Sequence, residues 1–228
     1  MLPNTSRMSY IAVIDFETTG LSPAMGDRAT EVAIVLVERG QIVDRYQSLM
    51  NAGQRIPAFI ESLTGISNSM IAAAPAADHV MREASRFVGQ APMVAHNASF
   101  DRRFWQAELT KAGESAAHLF ACTLLISRRL YPFAPSYKLG VLLDYHRLSK
   151  TGRAHRAMAD AEMAASLLGQ IQQDLRRSHG VLNCDHAVLM ALQRCAKPAV
   201  GALMAKYANL AEGSAERGKS ETRQTVFE

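Results

Sequence analysis

Apolar residues first gather in a short run, Tyr10-Ile11-Ala12-Val13-Ile14, which meets a carboxylate at Asp15. A second run, Val32 to Val37, ends near Glu38-Arg39-Gly40-Gln41, where a glycine among charges marks a turn. Ile42-Val43 then resumes a strand-like pattern to about Met50, so the pattern predicts a meander of three strands. Pro57 opens a short helical segment that Thr64-Gly65 breaks. Pro75 opens another, with Val80, Ala84, Phe87 and Val88 at helical spacing. Met93-Val94-Ala95 reads as a short buried strand, Ser99 to about Ala112 as a helix, and Leu119 to Ala121 as a last strand. The segments 122–130, 137–145 and 157–175 read as helices. Strands that give way to alternating strands and helices predict an α/β sheet with helices on its faces, antiparallel where the meander lies. Beyond about residue 178 the character changes. Val181 to Cys195 and Pro198 to Leu210 are Ala/Leu/Met-rich and predict a helical hairpin packed on the main domain. From Glu212 onward little can be buried, which predicts a disordered tail. The organisation expected is a leader over 1–8, a main domain over 9–178, a helical extension over 179–211 and a tail over 212–228.

Composition narrows the class without naming a function. The chain has 228 residues, of which 48% are apolar and 20% charged, and that excludes wholesale disorder, collagen and coiled coil. No stretch approaches the roughly 18 uninterrupted apolar residues of a membrane span, and the polar start lacks a signal-peptide core. Cys122, Cys184 and Cys195 are odd in number and widely spaced, so a disulfide framework is not expected and the reading is a reducing, cytoplasmic setting. The net charge of +4 is compatible with a polyanionic partner, as it is for many proteins that never meet one. Thr18-Thr19-Gly20 follows the first strand with a single glycine, which excludes a dinucleotide-binding fingerprint and a P-loop.

The informative residues are four carboxylates in three places, with one histidine. In Asp15-Phe16-Glu17 the two acids share one face of an extended chain while Phe16 takes the other. Side by side they repel, and a divalent cation between them relieves that, because hard cations take oxygen ligands. Open α/β sheets also place ligands at strand C-terminal ends. Taken alone, two solvated acids at a strand end would look the same. In His96-Asn97-Ala98-Ser99-Phe100-Asp101, Asn97 or Ser99 can cap the following helix and Asp101 can serve its dipole. His96 reads as a buried histidine bonded to backbone, not as a metal ligand. In His155-Arg156-Ala157-Met158-Ala159-Asp160 the gap spans a turn into a helix. His155 there has the side chain suited to proton transfer near neutral pH.

Together, in this order and on these elements, the three motifs resemble the DEDDh branch of the DnaQ-like 3′→5′ exonucleases. The matching residues are Asp15-x-Glu17-Thr18-Thr19-Gly20-Leu21, His96-Asn97-Ala98-Ser99-Phe100-Asp101 and His155-x4-Asp160, within roughly residues 9–173. The sister branch would show a tyrosine four residues before the last aspartate, where Arg156 stands. Pro57 to Ile66 also looks like the family's segment between its first two motifs. Members such as the proofreading subunit of bacterial DNA polymerase III often carry a histidine where this chain has Thr64.

The resemblance implies a ribonuclease H-like mixed five-stranded sheet flanked by helices, with the C-terminal helical extension added to it. It implies two divalent cations, Mg²⁺ or Mn²⁺. Asp15 would bridge them, Glu17 and Asp160 would complete the first ion's ligands, and Asp101 would hold the second. His155 would be the general base for the attacking water. Thr18, Thr19, Gly20, Leu21, Thr64 and Ile66 would edge a pocket for the 3′-terminal nucleotide, with Asn97 and Phe100 beside it, and the product would be a nucleoside 5′-monophosphate. DNA 3′ ends are favoured over RNA. The alternative is an exoribonuclease like the oligoribonuclease and ribonuclease T relatives, and a silent nucleic-acid-binding module on the same fold would have lost one of the five residues. A polymerase or repair partner in a separate chain and a homodimer are both compatible, and no membrane partner is expected.

Several other residues invite roles. Arg147, Lys150, Arg153 and Arg156 flank His155 and can contact a substrate backbone, as can Arg102-Arg103 and Arg128-Arg129. Cys184-Asp185-His186 with Cys195 fits no zinc spacing. Gln224-Thr225-Val226-Phe227 is faintly like a sliding-clamp-binding peptide.

Overall fold

Four consecutive residues, Ile11 to Ile14, are buried, so the strand that carries them is covered on both faces. The computed structural model describes residues 10–152 and 155–209. Strands β1 (Ile11–Thr18), β2 (Ala29–Glu38), β3 (Gln41–Leu49), β4 (Met93–Ala95) and β5 (Phe120–Cys122) form one sheet in the order β3-β2-β1-β4-β5. The helices are α1 (Ala58–Thr64), α2 (Asn68–Ala72), α3 (Ala77–Val88), α4 (Ser99–Ala112), α5 (Thr123–Leu130), α6 (Leu139–Tyr145), α7 (Ala157–His179) and α8 (His186–Arg194), with a further helix over residues 200–209. β1, β2 and β3 are antiparallel, whereas β4 is parallel to both β1 and β5. This is the mixed sheet, meander plus parallel strands, that the sequence predicts.

The pleat of β1 divides the core in two. Ile11 and Val13 pack with Leu167, Leu168 and Ile171 of α7. Ala12, Ile14 and Phe16 pack on the other face with Val80 and Met81 of α3 and Phe104 and Trp105 of α4. A small third cluster of Ile56, Ile60, Ile66 and Ile71 holds the α1–α2 segment beyond the end of β3.

The extension shares the first of these cores, since Val188, Leu189 and Leu192 of α8 pack with α7 and Met204 joins them. It also closes the sheet. β5 is an edge strand, and the Gln193 amide takes the place of a missing neighbour: Oε1 accepts from the Cys122 N–H at 2.7 Å and Nε2 donates to the Phe120 carbonyl at 3.1 Å. Edge groups satisfied in this way are unavailable for pairing with another chain. Among the described residues no helix is long and apolar enough to cross a membrane.

Some boundaries differ from the sequence reading. β1 carries both acids near its end, as the extended reading of Asp15-Phe16-Glu17 expects, and runs one residue further to Thr18, where its ladder with β2 closes on the Thr18–Ala29 pair. Helix α2 has no counterpart in the hydrophobic pattern. It is only five residues long, too short to display a period, and starts from the Ser67 hydroxyl, which accepts from the Met70 N–H. The stretch 181–185 is not helical. Asp185 caps α8 by accepting from the Val188 N–H, which places the helix start at His186. Gly180, with φ 67, ends α7 four residues later than expected. The leader 1–8, the tail 212–228 and the clamp-like peptide within it lie outside the described residues.

The loop from β1 to β2 is tied to α4 by one buried carboxylate. Glu108, 2% exposed, takes two bonds from the Arg28 guanidinium at 2.9 and 2.8 Å and one from the Ala29 N–H at 3.1 Å. Glu108→Ala strands that guanidinium and is expected to cost about 2–4 kcal/mol. That range extends below the usual figure for breaking a buried pair because Arg28 keeps 20% of its side chain in water. Thermal or denaturant unfolding of the variant checks it, and a loss below about 0.5 kcal/mol would show the tether to be incidental.

Candidate active site

The face of β1 that packs on α7 reads Ile11, Val13, Asp15, Glu17, so an apolar row turns acidic where α7 begins. Phe16, between the acids, points to the opposite face and packs its ring 6.5 Å from that of Phe104. Asp160 arrives from the first turn of α7. Asp101 arrives from the first turn of α4, is 2% exposed, and accepts the Phe16 N–H at 3.3 Å, which fixes it beside β1. His155 lies just before α7 in the left-handed region, φ 61, and its N–H donates to Asp160 Oδ2 at 3.0 Å. That bond offsets an unusual backbone conformation for a residue with a side chain. Ligand atoms of Glu17, His155 and Asp160 all lie within 4.8 Å of one another.

Burial and repulsion dominate the electrostatics. Asp15 is pushed well above the usual carboxylate range, first by burial and then by Asp101, Asp160, Glu17 and Glu31. Burial, with Asp160 and Glu31, raises Glu17 to about 8. Burial raises Asp101 to about 7 against the pull of its backbone bonds. Asp160 is also raised by burial, although its bond from the His155 N–H works the other way. A cluster of mutually repelling, desolvated oxygens fits a hard divalent cation and suits zinc poorly. Asp15, Glu17, Asp101 and Asp160 are the residues that could hold it.

A carboxylate that sequence reasoning missed supports this cluster. Glu31 stands directly opposite Glu17 in the β1–β2 ladder, a costly placement for two like charges. Glu31 is 1% exposed and takes bonds from Arg156 at 2.9 and 3.2 Å, from the Ala157 N–H at 3.1 Å and from Gln47 at 2.8 Å. It thereby anchors the start of α7, which carries Asp160. Its one trace in the sequence is a charge inside an otherwise apolar strand. Arg156, a candidate substrate contact from sequence, is instead committed to Glu31.

The pocket residues divide. Thr18, Gly20, Leu21, Thr64 and Phe100 line a cavity of about 350 Å³ beside Asp15, Glu17 and Asp160, together with Phe59, Ile60 and Leu63. Leu21 is 79% exposed there, so packing does not account for it. Ile66 is fully buried in the small isoleucine cluster and forms no wall, a correction to the sequence reading. Thr19 is also buried. It accepts the Arg28 N–H and belongs to the loop rather than to the cavity lining. Gly20 is needed for an internal reason, since a Cβ there would collide with the Asp27 carboxylate, which accepts the Ser22 N–H. Asn97, left-handed at φ 67, lines a second, larger cavity of about 1060 Å³ that also reaches Asp15, His155 and Asp160.

His96 sits between the Thr123 hydroxyl and the Tyr137 carbonyl, each 2.9 Å from a ring nitrogen, and burial lowers it to about 4. Neutral and tethered, it is structural. His186 meets the Met93 carbonyl at 2.9 Å and Cys184 bonds backbone carbonyls, so that sequence cluster serves packing.

Comparison with known proteins agrees with this geometry. The family model described as Exonuclease (RNase_T) matches residues 12–168. The 3′-5′ exonuclease DinG of Bacillus subtilis (strain 168) is 40% identical over 169 residues, 72% of this chain and 18% of that protein. A PolC-type DNA polymerase III of Bacillus cereus is 37% identical over 164 residues, 72% of this chain and 11% of that protein. The chain thus spans less than a fifth of the length of these curated relatives. Among solved structures, exonuclease X in complex with 5′ overhanging duplex DNA is 28% identical with a TM-score of 0.60, covering 72% of this chain and 91% of that one. The nuclease domain of 3′hExo, a DEDDh member bound to rAMP, is 20% identical with a TM-score of 0.63, covering 75% and 95%, and shows the shared fold.

The raised carboxyl groups set a pH dependence. Between their ordinary values, 4.5 and 3.8, and about 8 and 7, Glu17 and Asp101 hold protons in the folded protein that the unfolded chain has released. Metal-free stability therefore falls as pH rises through that window. A divalent cation binds the ionised form, so Mn²⁺ should raise Tm more at pH 8 than at pH 6 and release protons on binding at pH 7. Differential scanning fluorimetry with and without Mn²⁺ tests this, and equal shifts at the two pH values would contradict it.

Proposed function

Because the chain belongs to the RNase_T exonuclease family, we propose that it is a DnaQ-like exonuclease of the DEDDh type that hydrolyses phosphodiester bonds at DNA 3′ ends, releasing nucleoside 5′-monophosphates one at a time. The observation that carries the reading is the convergence of Asp15 and Glu17 from β1, Asp101 from α4 and Asp160 from α7, with His155 at their edge. Proteins of this family use divalent metal ions. In our reading Asp15, Glu17, Asp101 and Asp160 hold two of them, Mg²⁺ or Mn²⁺. Bound there, the cations supply positive charge at a phosphate that gains negative charge as it reacts.

The chain's own residues do the rest. The 3′-terminal nucleotide occupies the 350 Å³ cavity, with its base against Leu21, Phe59 and Phe100. A ring nitrogen of His155, which is exposed before α7, takes the proton of the attacking water. The water oxygen bonds to phosphorus, the bond from phosphorus to the upstream 3′ oxygen breaks, and that oxygen leaves as a hydroxyl by taking a proton from solvent water. Asp160 keeps His155 in reach through its backbone bond, and Glu31 keeps Asp160 in place through the start of α7.

DNA is preferred over RNA in this reading because exonuclease X, 28% identical, was solved with DNA and the relatives include DNA polymerases of the PolC type. A polymerase or repair factor is the partner we propose. A reducing cytoplasm is the setting, in keeping with the free Cys122, Cys184 and Cys195. We take 9–178 as the exonuclease domain and 179–211 as its extension.

The test uses 5′-labelled single-stranded DNA and RNA of matched sequence with Mg²⁺, with Mn²⁺ and with chelator. A metal-dependent ladder shortening from the 3′ end, faster on DNA, is expected. Asp15→Asn should abolish it, and activity retained by that variant with Mg²⁺ would sink the two-cation reading. A faster RNA ladder would replace the substrate. His155→Ala should lower kcat by about 10²–10⁴-fold while leaving the metal-induced Tm shift in place. Near-wild-type turnover would remove it as the base.

A further inference from the structure

Glu17 and Glu31 face each other across the β1–β2 ladder, yet their surroundings differ. Both Glu31 oxygens are filled. Oε1 accepts from Gln47 Nε2 at 2.8 Å and from Arg156 Nη2 at 2.9 Å. Oε2 accepts from the Ala157 N–H at 3.1 Å and from Arg156 Nε at 3.2 Å. Four donors exhaust a carboxylate's acceptor sites, so Glu31 has none left for a cation. Glu17 has no salt bridge among the described residues. Resting on the reading above that Glu17 and Asp160 hold a cation, we propose that Glu31 is a positioning residue for that site: by engaging Arg156, it keeps the guanidinium from pairing with Glu17.

Reach is the first argument. Residues directly opposite in an antiparallel ladder have Cβ atoms about 5 Å apart. A guanidinium that bonds one such carboxylate is a side-chain rotation away from the other. Its charge already acts on both. Glu31 first, and then Glu17, favour the protonated guanidinium, while Arg156 pulls Glu17 down against burial, Asp160 and Glu31.

Consequence is the second. An arginine on Glu17 would oppose a divalent cation twice, by occupying a ligand oxygen and by placing like charge beside the site. Arginine stays charged, so it cannot yield by losing a proton.

Placement is the third. Arg156 stands at the entry to α7, four residues before Asp160, so the backbone that delivers Asp160 also delivers a cation to the acids. Its side chain is 34% exposed, which leaves the charge only partly in water. Glu31 from β2, steadied by Gln47 from β3, meets that charge on the side away from the cluster.

The experiment measures Mn²⁺ affinity by isothermal titration calorimetry at pH 8 and needs no turnover. It compares the wild-type chain with Glu31→Gln, Arg156→Met and the double variant, and metal-free unfolding temperatures verify each fold. Glu31→Gln should weaken binding by about 10–100-fold, the usual range for losing a group that supports a ligand. Arg156→Met should bind at least as tightly as the wild type, because the offending charge is gone. The double variant should return to within about threefold of the wild type, a rescue that independent losses would not give. Replacing both partners leaves no buried charge, so the double variant should fold even where Glu31→Gln does not, and its affinity with that of Arg156→Met then decides. A double variant as weak as Glu31→Gln, or weakened binding by Arg156→Met, would show that the pair only anchors α7 and would overturn the proposal. Unchanged affinity in Glu31→Gln would overturn it too. If the wild type binds no Mn²⁺, the cation reading itself falls and takes this proposal with it, whereas failure in the variants alone leaves that reading standing.

Discussion

Desolvated negative charge is the constraint around which this molecule is arranged. Four carboxylates meet at the end of a sheet, and burial together with mutual repulsion holds their protons far above the usual range. Such a cluster stays partly protonated near neutral pH when metal-free, and a bound divalent cation favours its ionised form. A fold hosting it must contribute stability elsewhere, and here that comes from two apolar cores clasping β1 from both sides.

The same problem recurs around the cluster and is met by pairing. Glu31 sits opposite Glu17 in the ladder and would add to the repulsion, but the Arg156 guanidinium and the Ala157 N–H draw its charge toward the start of α7. Glu108 plays a similar part on the other side, tying the β1–β2 loop to α4 through Arg28. These two carboxylates are structural because each has a cation and a backbone donor. Asp15, Glu17, Asp101 and Asp160 differ from them in having no salt bridge to a lysine or arginine among the described residues. Burial alone does not separate the two groups, since Glu31, Glu108 and Asp101 are all nearly inaccessible.

Rigid anchoring and local looseness are divided between elements. Asp15, Glu17, Asp101 and Asp160 stand on strand or helix, whereas His155 stands on a loop in a left-handed conformation, held by one bond to Asp160. A histidine on a loop beside carboxylates held on rigid elements can shift without disturbing them. At the far side of the sheet, α8 seals β5 through Gln193, so the extension completes the fold instead of hanging from it.

Hydrophobic period and residue spacing are local properties, so the alternation of strands and helices, the sheet class and the motifs are legible along the chain. The same spacing placed Asp15 and Glu17 on one face because the pleat has a period of two. Whatever depends on distant contacts was set by the folded chain. It buried Ile66 among isoleucines and so removed it from the pocket wall. It assigned Gly20 to a clearance for Asp27 and committed Arg156 to Glu31 125 residues away. A charged side chain can bond a substrate or its own protein equally well. Which of the two it does is set by what the fold brings within reach, and no spacing along the chain encodes that.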